Sequence, residues 1–321
     1  MMAEKTRILL ISGGAGGAKL ARGFAALSDQ LELMIVTNIG DDFEHLGLYI
    51  CPDTDSVLYA LSDQLDTDRG WGRAGESWRV LESLAQLGGK DWFRLGDQDL
   101  ATHLFRTDLI RSGYALGVVT QRLADGLGLI NLSVQPASDQ PVRTHIETPG
   151  GLLDFQTYFV ANQCAPVVNR VHYHGAEAAV PCPAINDFVK RGVDAVIMGP
   201  SNPFLSVAPV LAISGMVELL QQAKHVIAVS PIVGNRALKG PLAKMMEEMG
   251  VDASALNWAQ QLNGDFPGFV DSWIFDKCDT AAAELLKSKG LHVKTFATVM
   301  SSLDQKIDLA QNILALIDPN V

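Results

Sequence analysis

Two short segments near the start of the chain have the residue types that bind phosphate and metal ions. Residues 13–17 (GGAGG) follow one apolar run, and residues 38–42 (NIGDD) follow the next. Backbone N–H groups in a glycine-rich strand-to-helix turn bind anions, with the helix dipole behind them. Adjacent carboxylates such as Asp41 and Asp42 repel, and a hard cation with oxygen ligands would stabilise them. These segments predict a phosphate site and a cation site, with a packing turn and a solvated loop as the plainer alternatives.

The glycine run completes neither of the two common nucleotide-binding fingerprints. A P-loop places glycine directly before its lysine, whereas Ala18 precedes Lys19. The dinucleotide fingerprint starting at Gly14 needs its third glycine where Lys19 stands. A nicotinamide-dependent dehydrogenase also needs a single acidic residue at the end of the second strand, and only the pair Asp41 and Asp42 lies near that place. The dehydrogenase class is therefore disfavoured.

Later segments carry groups suited to a metal, a flat ring or a nucleobase. Residues 51–55 (CPDTD) open a predicted helix, in which Asp55 is a candidate metal ligand and Asp53 suits ordinary first-turn capping. Arg94 stands beside two aromatic residues and suits contact with a polar ring or a phosphate, besides simple solvation. Asn202 offers a donor and an acceptor to a base edge, although its proline-rich surroundings also predict a plain turn.

Cysteines and histidines give no metal signature. Four widely spaced cysteines form no CxxC pair, so reduced thiols are expected rather than a zinc site or a disulfide framework. His172 and His174 lack an obvious carboxylate partner, and we interpret them as surface or packing residues.

Buried strands must position these segments. Near-continuous apolar runs predict strands of a parallel sheet at 7–11, 33–37, 193–198, 225–230, 270–275 and 293–296. A helix over 18 to about 27 joins the first two strands into a βαβ unit. Residues 55–112 are predicted to be mostly helical, and residues 131–160 alternate like antiparallel strands with a turn at 149–151. The polar segments after the parallel strands should meet at one edge of the sheet.

We therefore predict a Rossmann-like, doubly wound, mainly parallel α/β sheet with an inserted, mainly helical small subdomain. The core is expected over residues 1–48 and 115–321, and the insertion over residues 49–114 is expected to line the active-site cleft. No internal repeat or low-complexity linker interrupts this organisation.

Composition and charge exclude several classes of protein. Of 321 residues, 48% are hydrophobic, which excludes disorder as the main state. The 36 acidic and 25 basic residues leave a net charge of −11, which argues against a duplex nucleic-acid partner. The longest uncharged run, residues 195–217, is broken by three prolines, and the chain start lacks a signal-peptide pattern. A soluble, cytoplasmic protein is expected, and any phosphate must be held by local groups rather than by overall charge.

Seven segments in this order resemble the 2-phospho-L-lactate transferase family of coenzyme F(420) biosynthesis. They are GGAGG at 13–17, NIGDD at 38–42, CPDTD at 51–55, RGWG at 69–72, LGDQDLATH at 95–103, PVRT at 141–144 and GPSNP at 199–203. The chain departs from the family pattern at Gln98, where arginine is expected, and at Ala137 and Gln140.

The resemblance implies a transferase that acts on a guanosine diphospho donor and the deazaflavin Fo. Such enzymes move a phospho-three-carbon acid (2-phospho-L-lactate or a close analogue such as phosphoenolpyruvate or 3-phosphoglycerate) to the side-chain hydroxyl of Fo, release GMP and use magnesium (Mg). A homodimer is expected. The nearest alternative is a non-enzymatic regulator of related fold that binds a uridine diphospho-sugar.

Site roles follow from the resemblance and the chemistry together, since phosphoryl-type transfer depends mainly on positioning and charge neutralisation. We expect Asp41 and Asp55 to be the catalytic residues and to hold magnesium on the donor diphosphate, with Asp42 supporting them. By resemblance, Asp55 and Arg94 contact Fo. The residues expected to bind the donor are Gly13, Gly14, Gly16, Gly17, Ser201 and Asn202.

Overall fold

A seven-stranded sheet in which every strand is parallel to its neighbours forms the centre of the molecule. The computed structural model describes residues 5–234, 236–237 and 240–317. Its strands are β1 (Thr6–Ser12), β2 (Leu31–Thr37), β3 (Phe43–His45), β4 (Leu48–Ile50), β5 (Ser133–Pro136), β6 (Arg143–Thr148), β7 (Gly151–Asp154), β8 (Arg170–His174), β9 (Ala195–Met198), β10 (His225–Val229), β11 (Ile232–Val233), β12 (Arg236–Ala237), β13 (Ser272–Asp276) and β14 (Val293–Phe296). The central sheet has the order β14-β13-β10-β9-β1-β2-β5.

Helices cover both faces of this sheet. They are α1 (Gly14–Ala25), α2 (Pro52–Leu61), α3 (Arg79–Gln86), α4 (Asp97–Arg111), α5 (Leu116–Gly126), α6 (Pro183–Lys190), α7 (Ala208–Leu211), α8 (Met216–Leu220), α9 (Leu242–Glu248), α10 (Ala255–Asp265), α11 (Thr280–Ser288) and α12 (Leu303–Ile317). Leu9 and Ile11 of β1 pack into the core shared with α6 to α11, whereas Ile8 and Leu10 pack into the core shared with α1, α2, α5 and α12. The alternation of side chains along a strand therefore feeds two hydrophobic cores.

The prediction of a doubly wound α/β fold is confirmed, and so are the six predicted parallel strands, with end shifts of one or two residues. Two local predictions were wrong. Helix α1 begins at Gly14 rather than at residue 18, so the glycine run forms its first turn. Within residues 131–160, β5 joins the central sheet in parallel with β2, and only β6 and β7 pair antiparallel, across the predicted turn.

The region predicted as mostly helical contains α2, α3 and α4, separated by the long connections 62–78 and 87–96. A hairpin of β3 and β4 precedes it. A second, antiparallel sheet with the order β7-β6-β8 lies between β5 and α6 in the chain. The domain boundaries drawn from the sequence stay predictions.

The sheet reverses its winding between β1 and β9. From β1 the chain continues outward through β2 and β5, and on the other side it runs through β9, β10, β13 and β14. Ligands of open α/β sheets bind at such a switch point, outside the carboxyl ends of the strands. Among the described helices, none is both long and apolar enough to cross a membrane.

Candidate active site

A large cleft opens at the carboxyl edge of the sheet. Its volume is about 890 Å³, and it is lined by residues that follow β1, β2, β9 and β10 together with residues of α2, α4 and the loops 69–72 and 92–94. The predicted site residues that line it are Gly13, Gly14, Gly16, Asp41, Asp55, Arg94, Ser201 and Asn202. Gly17 and Asp42 are not among the described lining residues.

The glycine turn at the end of β1 is tightly held by neighbouring protein groups. Gly14 has a φ of +59°, a conformation that disfavours residues with a Cβ atom. A Cβ at Gly16 would collide with the carbonyl oxygen of Pro200. The Gly14 N–H donates a 2.6 Å hydrogen bond to Asp53 Oδ1, and the Gly13 N–H donates to Ser201 Oγ at 3.3 Å. Two of the amides predicted to hold phosphate are therefore already engaged.

Asp41 and Asp53 form an acidic pair beside this turn. Their side chains are buried, and Asp41 Oδ1 has no hydrogen-bond partner among the described residues. Burial and then the negative charge of Asp53 raise the pKa of Asp41 well above its usual range. Burial likewise raises the pKa of Asp53 to about 6, although Asn38 and Gly14 donate hydrogen bonds to it. Within the described part of the chain, no basic side chain is among the main causes of either pKa shift.

Asp53 does more than the first-turn capping that the sequence suggested. It does lie in the first turn of α2, but its carboxylate caps the first turn of α1 and accepts a 2.9 Å hydrogen bond from Asn38 Nδ2. Asp53 thereby joins the segments that follow β1 and β2, and it lines the cleft.

Asp42 points away from the cleft. Its side chain is 1% exposed, and neither carboxylate oxygen accepts a hydrogen bond within the described part of the chain. Burial raises its pKa to about 7, against the lowering effect of the Arg143 guanidinium. The structure therefore separates the two adjacent aspartates that the sequence suggested as joint metal ligands.

Asp55 is paired with a buried arginine. Both Nη atoms of Arg106 donate to the two carboxylate oxygens of Asp55, with 3.1 Å from Nη1 to Oδ2, and the Arg106 side chain is fully buried. A forked arginine–carboxylate pair fixes the carboxylate plane. Asp55 therefore has its compensating charge within the protein, whereas no basic side chain of the described residues is among the main causes of the Asp41 shift.

A histidine and a second aspartate extend this pair along α4. Arg106 Nη1 donates to His103 Nδ1 at 3.0 Å, and His103 Nε2 lies 3.4 Å from Asp99 Oδ1. Tyr59 donates a 2.7 Å hydrogen bond to Asp99. Burial would raise the pKa of Asp99, but the neighbouring His103, the hydrogen bond from Tyr59 and the charge of Arg106 outweigh it, so that pKa is lowered.

Asp55, Asp99 and His103 also bring three ligand atoms within 4.8 Å of one another, the one such group in the described ranges. Two observations weigh against a metal ion there. Arg106 already neutralises Asp55, and Tyr59 already donates to Asp99. A hard cation such as Mg²⁺ also prefers oxygen ligands and several waters to imidazole. The group is better described as a hydrogen-bonded network built around the Arg106–Asp55 ion pair.

Arg94 belongs to an aromatic wall at the mouth of the cleft. Its guanidinium lies 4.6 Å from the ring centre of Trp78, and Arg69 lies 4.9 Å from the same ring. Trp71, which lines the cleft, meets Trp78 edge-on at 6.3 Å. Stacked guanidinium and indole groups provide flat surfaces for a planar ring.

Ser201 and Asn202 mainly hold the loop after β9. Ser201 Oγ donates to the Gly13 carbonyl oxygen at 2.7 Å, which links the ends of β1 and β9. Asn202 Oδ1 accepts from the N–H groups of Phe204 and Leu205 and so caps a π-helical turn. The amide nitrogen of Asn202 lies 4.0 Å from Met245 Sδ, which is a weak acceptor. The loop after β10 includes residue 235, which lies outside the described residues.

Sequence reasoning missed Arg106 and the roles of Asp99 and His103. The signal was present in α4, whose buried residues are all polar: Asp99, Thr102, His103, Arg106 and Thr107. Their spacing of three, one, three and one is that of the inward stripe of a helix, where apolar residues are usual. A polar inward stripe indicates a site rather than a core.

Comparison with known proteins shows the family of the chain. The family model described as "2-phospho-L-lactate transferase CofD" matches residues 8–308. The chain belongs to this family of transferases. It is 36% identical over 312 residues to the 2-phospho-L-lactate transferase of Methanosarcina acetivorans, covering 97% of this chain and 99% of that protein. It is 33% identical over 320 residues to the phosphoenolpyruvate transferase of Streptomyces griseus subsp. griseus, covering 97% and 98%.

The fold also matches a solved structure at low sequence identity. A crystal structure of a UPF0052 family member from Bacillus halodurans superposes with a TM-score of 0.63 and 16% identity, covering 97% of this chain and 99% of the other. This likeness concerns the fold alone.

Proposed function

We propose that the protein transfers a phospho-three-carbon acid from a guanosine diphospho donor to the hydroxyl of Fo, releasing GMP, in coenzyme F(420) biosynthesis. Relatives carry two names, 2-phospho-L-lactate transferase and phosphoenolpyruvate transferase, at similar identity. The proposal therefore includes three acids: 2-phospho-L-lactate, phosphoenolpyruvate and 3-phosphoglycerate. The observation that carries the proposal is the buried Asp41–Asp53 pair beside the glycine turn, because it fits a cation-bound diphosphate.

A magnesium ion fits Asp41 and Asp53 better than the set expected from the sequence. Asp41 has an oxygen without a partner, and each carboxylate has a raised pKa from burial. A divalent cation would relieve both effects and would neutralise charge on the donor diphosphate. We assign magnesium to Asp41 and Asp53, leave Asp42 without a ligand role, and assign Asp55 to the acceptor.

Among the predicted phosphate-binding amides, Gly16 stays a candidate, and Ala15 takes the place of Gly13 and Gly14, whose N–H groups are engaged. The amides of Ala15 and Gly16 lie in the first turn, so they have no acceptor within the helix, and both residues line the cleft. Lys19 lines the cleft one turn later and supplies positive charge. Together these groups explain how a protein with a net charge of −11 holds a diphosphate.

The acceptor would lie against the aromatic wall and Asp55. Arg94 and Trp71 offer flat surfaces to the deazaflavin ring, and Asp55 would accept a hydrogen bond from the hydroxyl of Fo. Arg106 acts through Asp55, because its forked contact holds the carboxylate plane. A hydroxyl oriented in this way would attack the phosphorus atom that carries the three-carbon acid. The bond from that phosphorus to the phosphate of guanosine would break on the opposite side and release GMP.

Product mass tests the proposal directly. The protein is incubated with Fo, Mg²⁺ and, separately, guanosine diphospho-linked lactate, enolpyruvate and glycerate, and the products are weighed. One of the three should give phospho-acid-linked Fo and GMP, and EDTA should stop the reaction. Tight binding of a uridine diphospho-sugar with no affinity for Fo would contradict the proposal in favour of the regulator.

A further inference from the structure

Three histidines cluster outside the cleft, on the antiparallel sheet β7-β6-β8. His172 and His174 are two residues apart on β8, so they share one face, and His145 of β6 pairs directly with His172. The neighbours of His145 in β6, Thr144 and Ile146, are buried on the opposite face. The ring centres of His145 and His174 are 4.3 Å apart, and those of His172 and His174 are 6.2 Å apart.

Carboxylates accompany two of these rings. His172 Nε2 lies 2.8 Å from Glu147 Oε2, and His145 Nε2 lies 3.1 Å from Asp154 Oδ1. The expectation that His172 lacks a carboxylate partner was therefore wrong. The partner was hidden because Glu147 is two residues beyond His145 on a different strand, and only the strand pairing brings it to His172.

The hydrogen-bond requirement of His145 points to a cation. Its Nδ1 faces the carbonyl oxygen of Arg143 at 3.2 Å, and its Nε2 faces the Asp154 carboxylate. A neutral imidazole has one hydrogen, so it donates to one of these oxygens only. In the tautomer whose Nδ1–H donates to the carbonyl, Nε2 and the Asp154 carboxylate face each other as two acceptors, and a metal ion between them would satisfy both.

We propose that His145, His172, His174 and Asp154 bind a divalent transition-metal cation of the zinc class. Ligands about 2.0–2.1 Å from a tetrahedral zinc ion are roughly 3.3 Å apart, close to the observed separation of His145 Nε2 and Asp154 Oδ1. Imidazole ligands favour zinc over magnesium or calcium. The hydrogen bonds to the Arg143 carbonyl oxygen and to Glu147 are the outer contacts that metal-binding histidines usually make.

Ring rotation is needed to complete the site. As they stand, these rings do not bring three ligand atoms together, and the side chains of His172 and Asp154 are 31% and 80% exposed. His174 is also exposed, so its ring turns without disturbing a core. A bound ion would tie β6, β7 and β8 together. Because Phe155 and Gln156 directly follow β7 and line the cleft, the ion would stiffen the cleft wall without touching the reacting groups.

Titration of the full-length protein with Zn²⁺ tests the proposal. Isothermal titration calorimetry compares the wild type with His172→Ala and His174→Asn, and with His225→Ala as the matched exposed control. We expect one zinc equivalent that both cluster variants weaken at least tenfold and that the control leaves unchanged. Zinc should also raise Tm by a few degrees in the wild type and in His225→Ala only.

The outcomes separate this site from other ligands. Equal zinc binding in all four proteins would place the ion elsewhere, for example at His103, and would overturn the proposal. An equal loss in His225→Ala would mean unspecific surface binding and would also overturn it. Because His174→Asn changes an exposed side chain, it keeps the test valid if His172→Ala does not fold. Transferase activity should be unchanged in both cluster variants.

Discussion

Two pairs of aspartates lie in the same cleft, with similar burial and opposite electrostatics. Asp41 and Asp53 are 7% and 5% exposed, and burial raises the pKa of both. Asp55 and Asp99 are 4% and 8% exposed, but Arg106 binds the first, and the pKa of Asp99 is lowered. Burial therefore does not decide whether a carboxylate keeps its charge. The neighbouring cation does.

The two aspartate pairs therefore suit different roles. A buried ion pair that is complete within the protein is a fixed structural element, since removing either partner leaves an unpaired charge. A buried acidic pair whose pKa values are raised is suited to binding an external cation.

The largest effect is expected for Arg106→Met. It leaves Asp55 charged and buried without its cation, so the free energy of unfolding should fall by about 3–5 kcal/mol in urea denaturation. Arg22→Met is the matched control, because it breaks a forked pair with the exposed Asp63 and should cost at most about 1 kcal/mol. The double variant Asp55→Asn/Arg106→Met should recover much of the loss. An equal loss in the free energy of unfolding for the two arginine variants would contradict a structural role of the buried Arg106–Asp55 pair.

Asp41→Asn should separate stability from activity. Turnover should fall at least about a hundredfold, which is about 2.7 kcal/mol, because the proposed magnesium site would lose a ligand. In EDTA the same variant should be more stable than the wild type by about 1 kcal/mol, since it removes repulsion with Asp53. Asp29→Asn makes the same charge change at an exposed carboxylate and should alter neither quantity. A destabilised Asp41→Asn would show that Asp41 is already paired.

The acidic pair also predicts a pH dependence in EDTA. With its pKa raised to about 6, folded Asp53 holds a proton that the unfolded chain has lost above about pH 4. The folded state then binds more protons, so the free energy of unfolding should fall by about 2 kcal/mol as pH rises from 4.5 to 7. The fall should be smaller in Asp41→Asn and in saturating Mg²⁺. A wild-type stability that rises over this window would exclude the raised pKa.

The smallest effect is expected for Arg94→Ala, which changes neither pair. Loss of the guanidinium stacked on Trp78 should weaken Fo binding by about 0.5–2 kcal/mol in a fluorescence titration and leave donor binding unchanged. Arg122→Ala removes a similar contact with Tyr114, outside the cleft, and serves as the control. An unchanged affinity for Fo would remove Arg94 from the acceptor site.

Most of the central fold was predictable because buried parallel strands are continuous apolar runs, and the structure confirms all six that were predicted. The strand β5 was missed because Ser133 and Gln135 give it an alternating pattern that resembles an antiparallel strand. The start of α1 was missed because glycines disfavour helices locally. Here Asp53 caps the first turn and the packing against Pro200 requires Gly16.

The sequence by itself determined the fold class, the family and the segments that meet at one edge of the sheet. These depend on local apolar patterns and on the order of short motifs. Only the tertiary structure decided which carboxylates have a basic side chain beside them. Asp42 and Asp55 look like partners of Asp41 along the chain, but Arg143 and Arg106 reach them from distant elements. Charge compensation acts through space over a few ångströms, so it is invisible in the order of residues until the fold brings the charges together.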